Sequence, residues 1–238
     1  MNWTEGYLEN YRLEVSSGRS GGSYTPAHVS QLRGALRQHK ETLNGQARVV
    51  VIGTDRPWIE VMLLDEGADD VLTFEYGAIV STHPKIHAQL TKDIAADYLA
   101  GRFTPVDAVV SYSSIEHSGL GRYGDPLDPD ADATAMAQAW CFLRPGGLAF
   151  IGLPMSCKDR GEIEFNAHRI YGNSRLAKIS SGFEFVEFDQ EGCQPYLPSR
   201  EPQPVVVLRK PLNGTWAKKS IRGALRAAIR AQRSKEDL

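Results

Sequence analysis

Apolar residues along this chain fall into short unbroken runs that alternate with stripes at helical spacing. Residues 48–53, RVVVIG, are a run of mostly β-branched side chains, the pattern of a strand covered on both faces of a parallel sheet. Upstream, Thr25 and Pro26 supply an N-cap and a first-turn proline. Val29, Leu32, Leu36 and Leu43 follow at helical spacing until Asn44-Gly45 closes the helix. Downstream, Asp55 and Pro57 open a second helix carrying Trp58, Val61, Met62 and Leu64, Gly67 ends it, and residues 71–75, VLTFE, give another strand. Strand, helix and strand over so few residues make a βαβ unit, whose crossover is right-handed in nearly all cases.

The alternation continues along the chain. Residues 85–91 hold a short helix or a third strand, residues 94–99 a helix, and residues 106–112, VDAVVSY, a strand. After a polar loop, Met136, Trp140 and Leu143 mark a helix behind Asp130 and Asp132, whose carboxylates meet the positive end of its dipole. Arg144-Pro145-Gly146-Gly147 reads as a turn, residues 148–153 as a strand, and residues 168–180 as a helix. Two late strands, residues 183–188 and 205–209, predict an antiparallel pair added to the parallel sheet. The polar segment between them is long enough for a functional or partner-binding role. The fold class is therefore α/β: Rossmann-like, doubly wound, mostly parallel, with an antiparallel C-terminal strand and helices on both faces.

A chain of 238 residues holds one such domain with extensions. Residues 1–24 end in a Gly/Ser-rich link and are expected to form a flexible arm. The domain proper is expected over residues 25–212, and residues 213–238 are expected to form a basic amphipathic helix. Its stripe of Ile221, Leu225 and Ile229 runs beside Arg222, Arg226 and Arg230, suited to docking on the domain or to peripheral contact with an anionic membrane. A net charge of −2 with interspersed signs gives no basis for nucleic-acid binding. Cys141, Cys157 and Cys193 are an odd set without CxxC spacing, which points to a reducing, cytoplasmic compartment and away from disulfides or a zinc ribbon. No apolar run approaches the roughly 20 residues that span a bilayer, so a soluble protein is expected.

In open α/β sheets ligands bind beyond the carboxyl ends of the strands, where strand order reverses. The loops after Gly53, Glu75 and Tyr112 should therefore share one crevice. The first, Gly53-Thr54-Asp55-Arg56-Pro57, lacks the glycines that admit a pyrophosphate, and Asp55 opposes phosphate while suiting a cation. Glu75 follows Gly53 by about 20 residues, the spacing at which a carboxylate accepts from ribose hydroxyls. As ordinary structure, Asp55 is an N-cap and Glu75 an exposed strand-end carboxylate.

The third loop carries Ser113, Glu116 and His117, the densest polar group in the expected crevice. His117 suits proton removal from a substrate hydroxyl, and Glu116 suits orienting it or acting as the base itself. Arg122, Tyr123 and Asp125 follow as candidate acceptor contacts, as do His168, Arg169 and Tyr171 beyond the strand ending near Pro154. Asp125, Asp128, Asp130 and Asp132 loosely match an oxygen-ligand site, but the neighbouring prolines and helix start account for them as turn and cap residues, so no metal is assigned.

This order of motifs resembles the class I S-adenosylmethionine-dependent methyltransferase superfamily over about residues 48–209. Glu75 stands at the acidic end of the second strand, Ser113-Ser114-Ile115-Glu116-His117 reads S-x-x-EH after the fourth, and Leu143-Arg144-Pro145-Gly146-Gly147 reads L-x-P-G-G before the fifth. His168-Arg169 and Ser181-Gly182-Phe183 also stand at familiar places. In finer detail, SIEHSGLGRYGDPLDP and NAHRIYG are similar to a methyltransferase-like branch described as a domain of unknown function. The resemblance implies a seven-stranded sheet and S-adenosyl-L-methionine held by Gly53, Thr54, Asp55, Glu75, Ser113 and, at the adenine-contacting position, Asp93. The polar loops at residues 122–132 and 192–203 suit a sugar-like acceptor, so the expected reaction is O-methylation of a hydroxyl on a sugar, glycan or other small molecule. The family's acidic-x-Gly-x-Gly-x-Gly motif is reduced here to Val51-Ile52-Gly53-Thr54-Asp55, and the alternative is a non-catalytic binding or scaffold module on the same fold.

Overall fold

The computed structural model describes residues 1–19, 24–156, 160–188 and 203–214. In chain order its elements are β1 (Asn2–Trp3), α1 (Glu5–Ser16), α2 (Pro26–Gln38), β2 (Ala47–Ile52), α3 (Trp58–Asp65), β3 (Ala68–Glu75), β4 (Val80–Ser81), β5 (Ile86–Leu90) and α4 (Thr91–Leu99). Then come β6 (Val106–Tyr112), α5 (Ala131–Phe142), β7 (Leu143–Gly152), β8 (Glu162–Ile163), β9 (Arg169–Ile170), α6 (Asn173–Ile179), β10 (Glu184–Phe188) and β11 (Val205–Arg209). Seven strands form the main sheet in the order β10-β11-β7-β6-β2-β3-β5. All neighbours from β7 to β5 pair in parallel, and β11 runs antiparallel to both β7 and β10.

The β-branched runs are unbroken because each strand is buried on both faces. In β2, Val49 and Val51 pack into the layer built by α1, α2 and α3, while Val50 faces the layer of α4, α5 and α6. The same division holds in β6, where Ala108 and Val110 face one way and Val109 the other, and in β11, where Val205 and Val207 oppose Val206 and Leu208. Alternation along a strand thus becomes two apolar cores on one sheet.

Three expectations change and one open alternative is decided. The N-terminal arm is a docked element: β1 pairs with β4, and Trp3, Leu8, Tyr11 and Val15 are buried against the α3 layer. Its link at residues 20–23 lies outside the described residues. The Leu143-Arg144-Pro145-Gly146-Gly147 turn sits inside β7, where pairing with β6 jumps from Val106–Leu143 to Ala108–Leu148, and Gly146 takes a φ of 80° there. Of the two readings for residues 85–91, the strand is the one formed, as the edge strand β5, and Thr91 already starts α4. Instead of one helix over residues 168–180, β8 and β9 form a hairpin and α6 starts only at Asn173. Two glycines allow this: a Cβ on Gly172 would lie 2.4 Å from the Arg160 carbonyl carbon, and one on Gly161 would lie 2.5 Å from the Ile170 oxygen. The late polar segment and the basic C-terminal stretch lie outside the described residues, except for Gln203 and Pro204 and for residues 213–214. Among the described residues no helix is long and apolar enough to cross a membrane.

Candidate active site at the carboxyl ends of β2, β3 and β6

Strand order reverses between β2, which continues through β3 to β5, and β6, which continues to β7. At this switch point the Ser111 hydroxyl donates to the Ile52 carbonyl (3.1 Å), binding the two strand ends together. Gly53 follows with a φ of 69°, and a Cβ there would lie 1.8 Å from the Ser114 hydroxyl oxygen. Only glycine lets the loop after β2 pass under the loop after β6.

That first loop is fixed from both sides. The Thr54 backbone N–H donates to Glu75 Oε1 (2.8 Å), and the Tyr76 N–H donates to Glu75 Oε2 (2.8 Å). Glu75 therefore works partly as a loop anchor, while each of its oxygens keeps a further lone pair. The Thr54 hydroxyl donates to the Arg56 carbonyl, and the Arg56 guanidinium donates to the Tyr11 hydroxyl of α1 (3.1 Å). Asp55 does not cap α3, whose N-cap is Pro57. Its side chain is 76% exposed beside Arg56. Asp93 lies exposed in the first turn of α4, beyond the end of β5. Gly53, Thr54, Asp55, Glu75 and Asp93 thus share the rim formed by three adjacent strand ends.

The loop after β6 turns through Ser113, a non-glycine at φ 52°, into a short 3₁₀ turn over Ile115–His117. Ser113 Oγ donates to Glu116 Oε1 (2.8 Å) and accepts from the Gln203 side-chain amide (2.9 Å). Burial pushes the Glu116 carboxyl up to about 7, against the lowering effect of its hydrogen bonds. The hydroxyl of Tyr24, ahead of α2, also bonds Ser113, and burial chiefly pushes that phenol up to about 12.

His117 is held by the β8–β9 hairpin. Its Nδ1–H donates to the Ala167 carbonyl (2.7 Å), which leaves the lone pair on Nε2. Its ring packs edge-on against Tyr123 and His168, with centroids 5.5 and 5.7 Å away. Nε2 lies 3.8 Å from Glu116 Oε1, too far for a hydrogen bond. Burial and the nearby Arg122 and His168 charges lower the His117 pKa, opposed by the Ala167 carbonyl and Asp125.

The expected acceptor contacts divide into two groups. Arg122 and Tyr123 are exposed beside His117, with the Arg122 guanidinium 5.6 Å above the Tyr123 ring and donating to the Ala167 carbonyl (3.3 Å). His168 is half-buried next to Glu164, and burial lowers its pKa. The other three hold the loop together. Asp125 accepts from the Gly119 N–H (2.6 Å) and the Tyr123 N–H. Burial raises its pKa, but the backbone donors outweigh that effect and bring it below its ordinary range.

Arg169 and Tyr171 do not reach the crevice. Buried Arg169 donates to the carbonyls of Glu116, Ser118, Asp128 and Pro129, and the Tyr171 hydroxyl donates to buried Asp132 (2.9 Å). Asp132 also binds Arg175 of α6, so the acidic start of α5 serves as an ion-pair node. Among the described residues no three His, Cys, Asp or Glu side chains are grouped to hold a metal ion.

Tyr24 and Gln203 were not legible as site residues from local patterning. The one available signal was for Tyr24, an apolar residue just before the Thr25 cap, the position of a hydrophobic staple. Gln203 ends a polar segment without periodicity.

The acidic side chains Asp55, Glu75 and Asp93 follow or end three adjacent strands and suit hydroxyl and cationic donors better than phosphates, while the close approach at Gly53 is to Ser114 of the neighbouring loop. Comparison with known proteins agrees at the level of fold. The family model described as "Caenorhabditis protein of unknown function, DUF268" matches residues 46–197. No curated protein matches. Among solved structures, the chain is similar to the 1,6-didemethyltoxoflavin-N1-methyltransferase of Burkholderia thailandensis with bound 1,6-didemethyltoxoflavin and S-adenosylhomocysteine. That match has TM-score 0.51 and 15% identity and covers 86% of this chain and 87% of that one. A second match is to the complex of the Haloferax volcanii Trm112 methyltransferase activator and a methyltransferase, with TM-score 0.50, 13% identity and coverage of 84% and 97%. A Streptococcus thermophilus protein described as a hemolysin matches with TM-score 0.53 at 13% identity, over 87% of this chain and 75% of that one.

Proposed function

Since the chain belongs to the DUF268 family and has the fold of the S-adenosylmethionine-dependent methyltransferases, we propose that it transfers a methyl group from S-adenosyl-L-methionine to a hydroxyl oxygen of a sugar, glycan or other small molecule. One observation carries the reading: an imidazole at the switch point has its Nδ1–H tied to the Ala167 carbonyl and its Nε2 lone pair kept by burial in the basic form. A hydroxyl nucleophile needs such a base, because it must lose its proton as the new bond forms.

The bound cofactor would supply a methyl group activated on a sulfonium. Glu75 and Asp93 would accept from its hydroxyl and amine donors, Asp55 would face its ammonium, and the Gly53-Thr54 backbone would lie against it. Ser113 would close the base side. His117 takes the hydroxyl proton at Nε2, while the Ala167 carbonyl holds the ring in place and stabilises the imidazolium that results. Arg122 and Tyr123 wall the acceptor side. Most of the acceleration comes from placing the hydroxyl and the methyl group in line.

Calorimetric titration with S-adenosylmethionine and S-adenosylhomocysteine tests the reading directly. Binding is expected; no heat and no thermal shift at millimolar cofactor overturns it. His117→Ala is expected to keep cofactor affinity within a few-fold while lowering methyl transfer by roughly 10²–10⁴. Loss of affinity in that variant would instead assign His117 to the cofactor pocket.

A further inference from the structure

Where the family's first motif repeats glycine, the loop after β2 carries Thr54, Asp55 and Arg56, and side-chain bonds set its shape. Thr54 is buried, with its N–H held by Glu75 of β3. The Arg56 carbonyl accepts from both the Thr54 hydroxyl (2.5 Å) and the Trp58 N–H (2.8 Å). With its backbone fixed in this way, Arg56 reaches out of the loop to α1. Its guanidinium donates from one terminal nitrogen to the Tyr11 hydroxyl (3.1 Å), while Nε lies 3.6 Å from Asp55 Oδ2. Tyr11 is a firm support for that contact. It is buried, it shares a hydrogen bond with Tyr7, and the two rings pack at 5.1 Å. The helix that carries it is tied to α3 by the Arg12–Asp65 ion pair and to α2 by Arg33, which donates to the Val15 carbonyl (3.2 Å).

An exposed ion pair is weak mainly because two long side chains must both be ordered to make it. Here one of the two is ordered beforehand: the Tyr11 hydroxyl pins the far end of the Arg56 guanidinium, so the exposed Asp55 carboxylate meets a charge already in place. We propose that Tyr11 and Arg56 are positioning residues for the cofactor: Tyr11 fixes Arg56, and Arg56 holds Asp55 by Oδ2 and leaves Oδ1 for the ammonium group. The N-terminal arm thereby supplies a restraint on the cofactor loop from outside the sheet. The proposal rests on the cofactor part of the methyl-transfer reading. It also makes the coupling reciprocal, because whatever the docked arm adds to cofactor affinity, the cofactor adds to the docking of the arm.

S-adenosylhomocysteine, which keeps the ammonium group, is the probe, titrated calorimetrically into the full chain. Tyr11→Phe keeps the buried ring and removes the hydroxyl. It is expected to weaken binding roughly three- to tenfold, the size of one hydrogen bond to a charged group at a partly exposed position, while the urea midpoint stays near that of the wild type. In an Asp55→Asn background the same change should cost nothing further, since Tyr11 acts through Asp55. Hydrogen exchange gives the reciprocal readout: the ligand should slow the α1 amides more than those of α6 in the wild type, and this difference should vanish in Tyr11→Phe. Unchanged affinity in Tyr11→Phe, an equal loss in the Asp55→Asn background, or α1 exchange indifferent to the ligand overturns the proposal. If Tyr11→Phe does not fold, α1 exchange in the wild type decides alone. A wild-type chain that does not bind S-adenosylhomocysteine overturns the cofactor reading and the positioning role together, whereas wild-type binding that Tyr11→Phe leaves intact overturns only the positioning role.

Discussion

The state of His117 depends on what surrounds it. Burial disfavours its charged form, and the positive charges of Arg122 and His168 act in the same direction; the Ala167 carbonyl and Asp125 oppose them without prevailing. A lowered histidine pKa means that the basic form is populated below the usual value of about 6.5, so the ring can accept a proton at neutral pH. NMR titration of the histidine ring protons should therefore give His117 a midpoint below 6.5, with the signal assigned by its loss in His117→Ala. Arg122→Ala removes a lowering charge and should raise that midpoint. An unchanged or lower midpoint in this variant would mean that the exposed guanidinium is screened from the ring.

Among the elements, legibility in the sequence followed burial. The strands β2, β3, β6 and β11 could be read because both faces are covered, so their apolar runs are unbroken and their type is fixed by β-branching. The hairpin of β8 and β9 could not. Its strands are two residues long, and its exposed Ile163 and Phe165 give no alternation against a core. Of the apolar residues that follow, Leu176 and Ile179 fall at helical spacing, and Gly172 separates them from Ile170. The N-terminal helix was hidden for a related reason: α1 has a weak apolar stripe of Leu8, Tyr11 and Val15 ahead of a Gly/Ser link, and tertiary contact with α3 makes it a stable element. At the site, Gly53, Glu75 and the His117 loop could be placed from strand-end logic. The different jobs of Arg169, Tyr171 and Asp125 could not, because exposed binding and buried bracing use the same residue types. Gly53 gives this scale its prediction. Gly53→Ala puts a methyl group 1.8 Å from the Ser114 hydroxyl oxygen at a φ of 69°, so the two loops must separate. The variant should lose on the order of 2 kcal/mol of stability by urea titration and at least tenfold in S-adenosylhomocysteine affinity. Wild-type stability together with wild-type affinity would show that the close approach is not needed.

The molecule as a whole is two cores on one sheet, and fully buried acids lie among the elements that flank it. Glu60 of α3 is fully buried, with Oε1 accepting from the Thr73 hydroxyl of β3 (2.8 Å) and Oε2 without a partner. Burial pushes its carboxyl up to about 8, against the Thr73 and backbone hydrogen bonds, and the charge of Glu75 adds to the rise. An acid whose folded pKa lies above its unfolded value holds its proton in the folded state after the unfolded chain has released it. Its contribution is therefore intact below about pH 4.5 and is lost progressively as pH rises towards 8, beyond which the loss levels off. Glu60→Gln keeps the acceptor for Thr73 and removes the ionisation. The histidines and the exposed ion pairs titrate alike in both proteins, so the difference between their stability curves isolates this one group. The two should be nearly equal at pH 5, the gap should widen up to pH 8, and at pH 9 the variant should be the more stable by on the order of 2 kcal/mol. Parallel urea-unfolding curves across that range would show that water or a local rearrangement already solvates the buried acid.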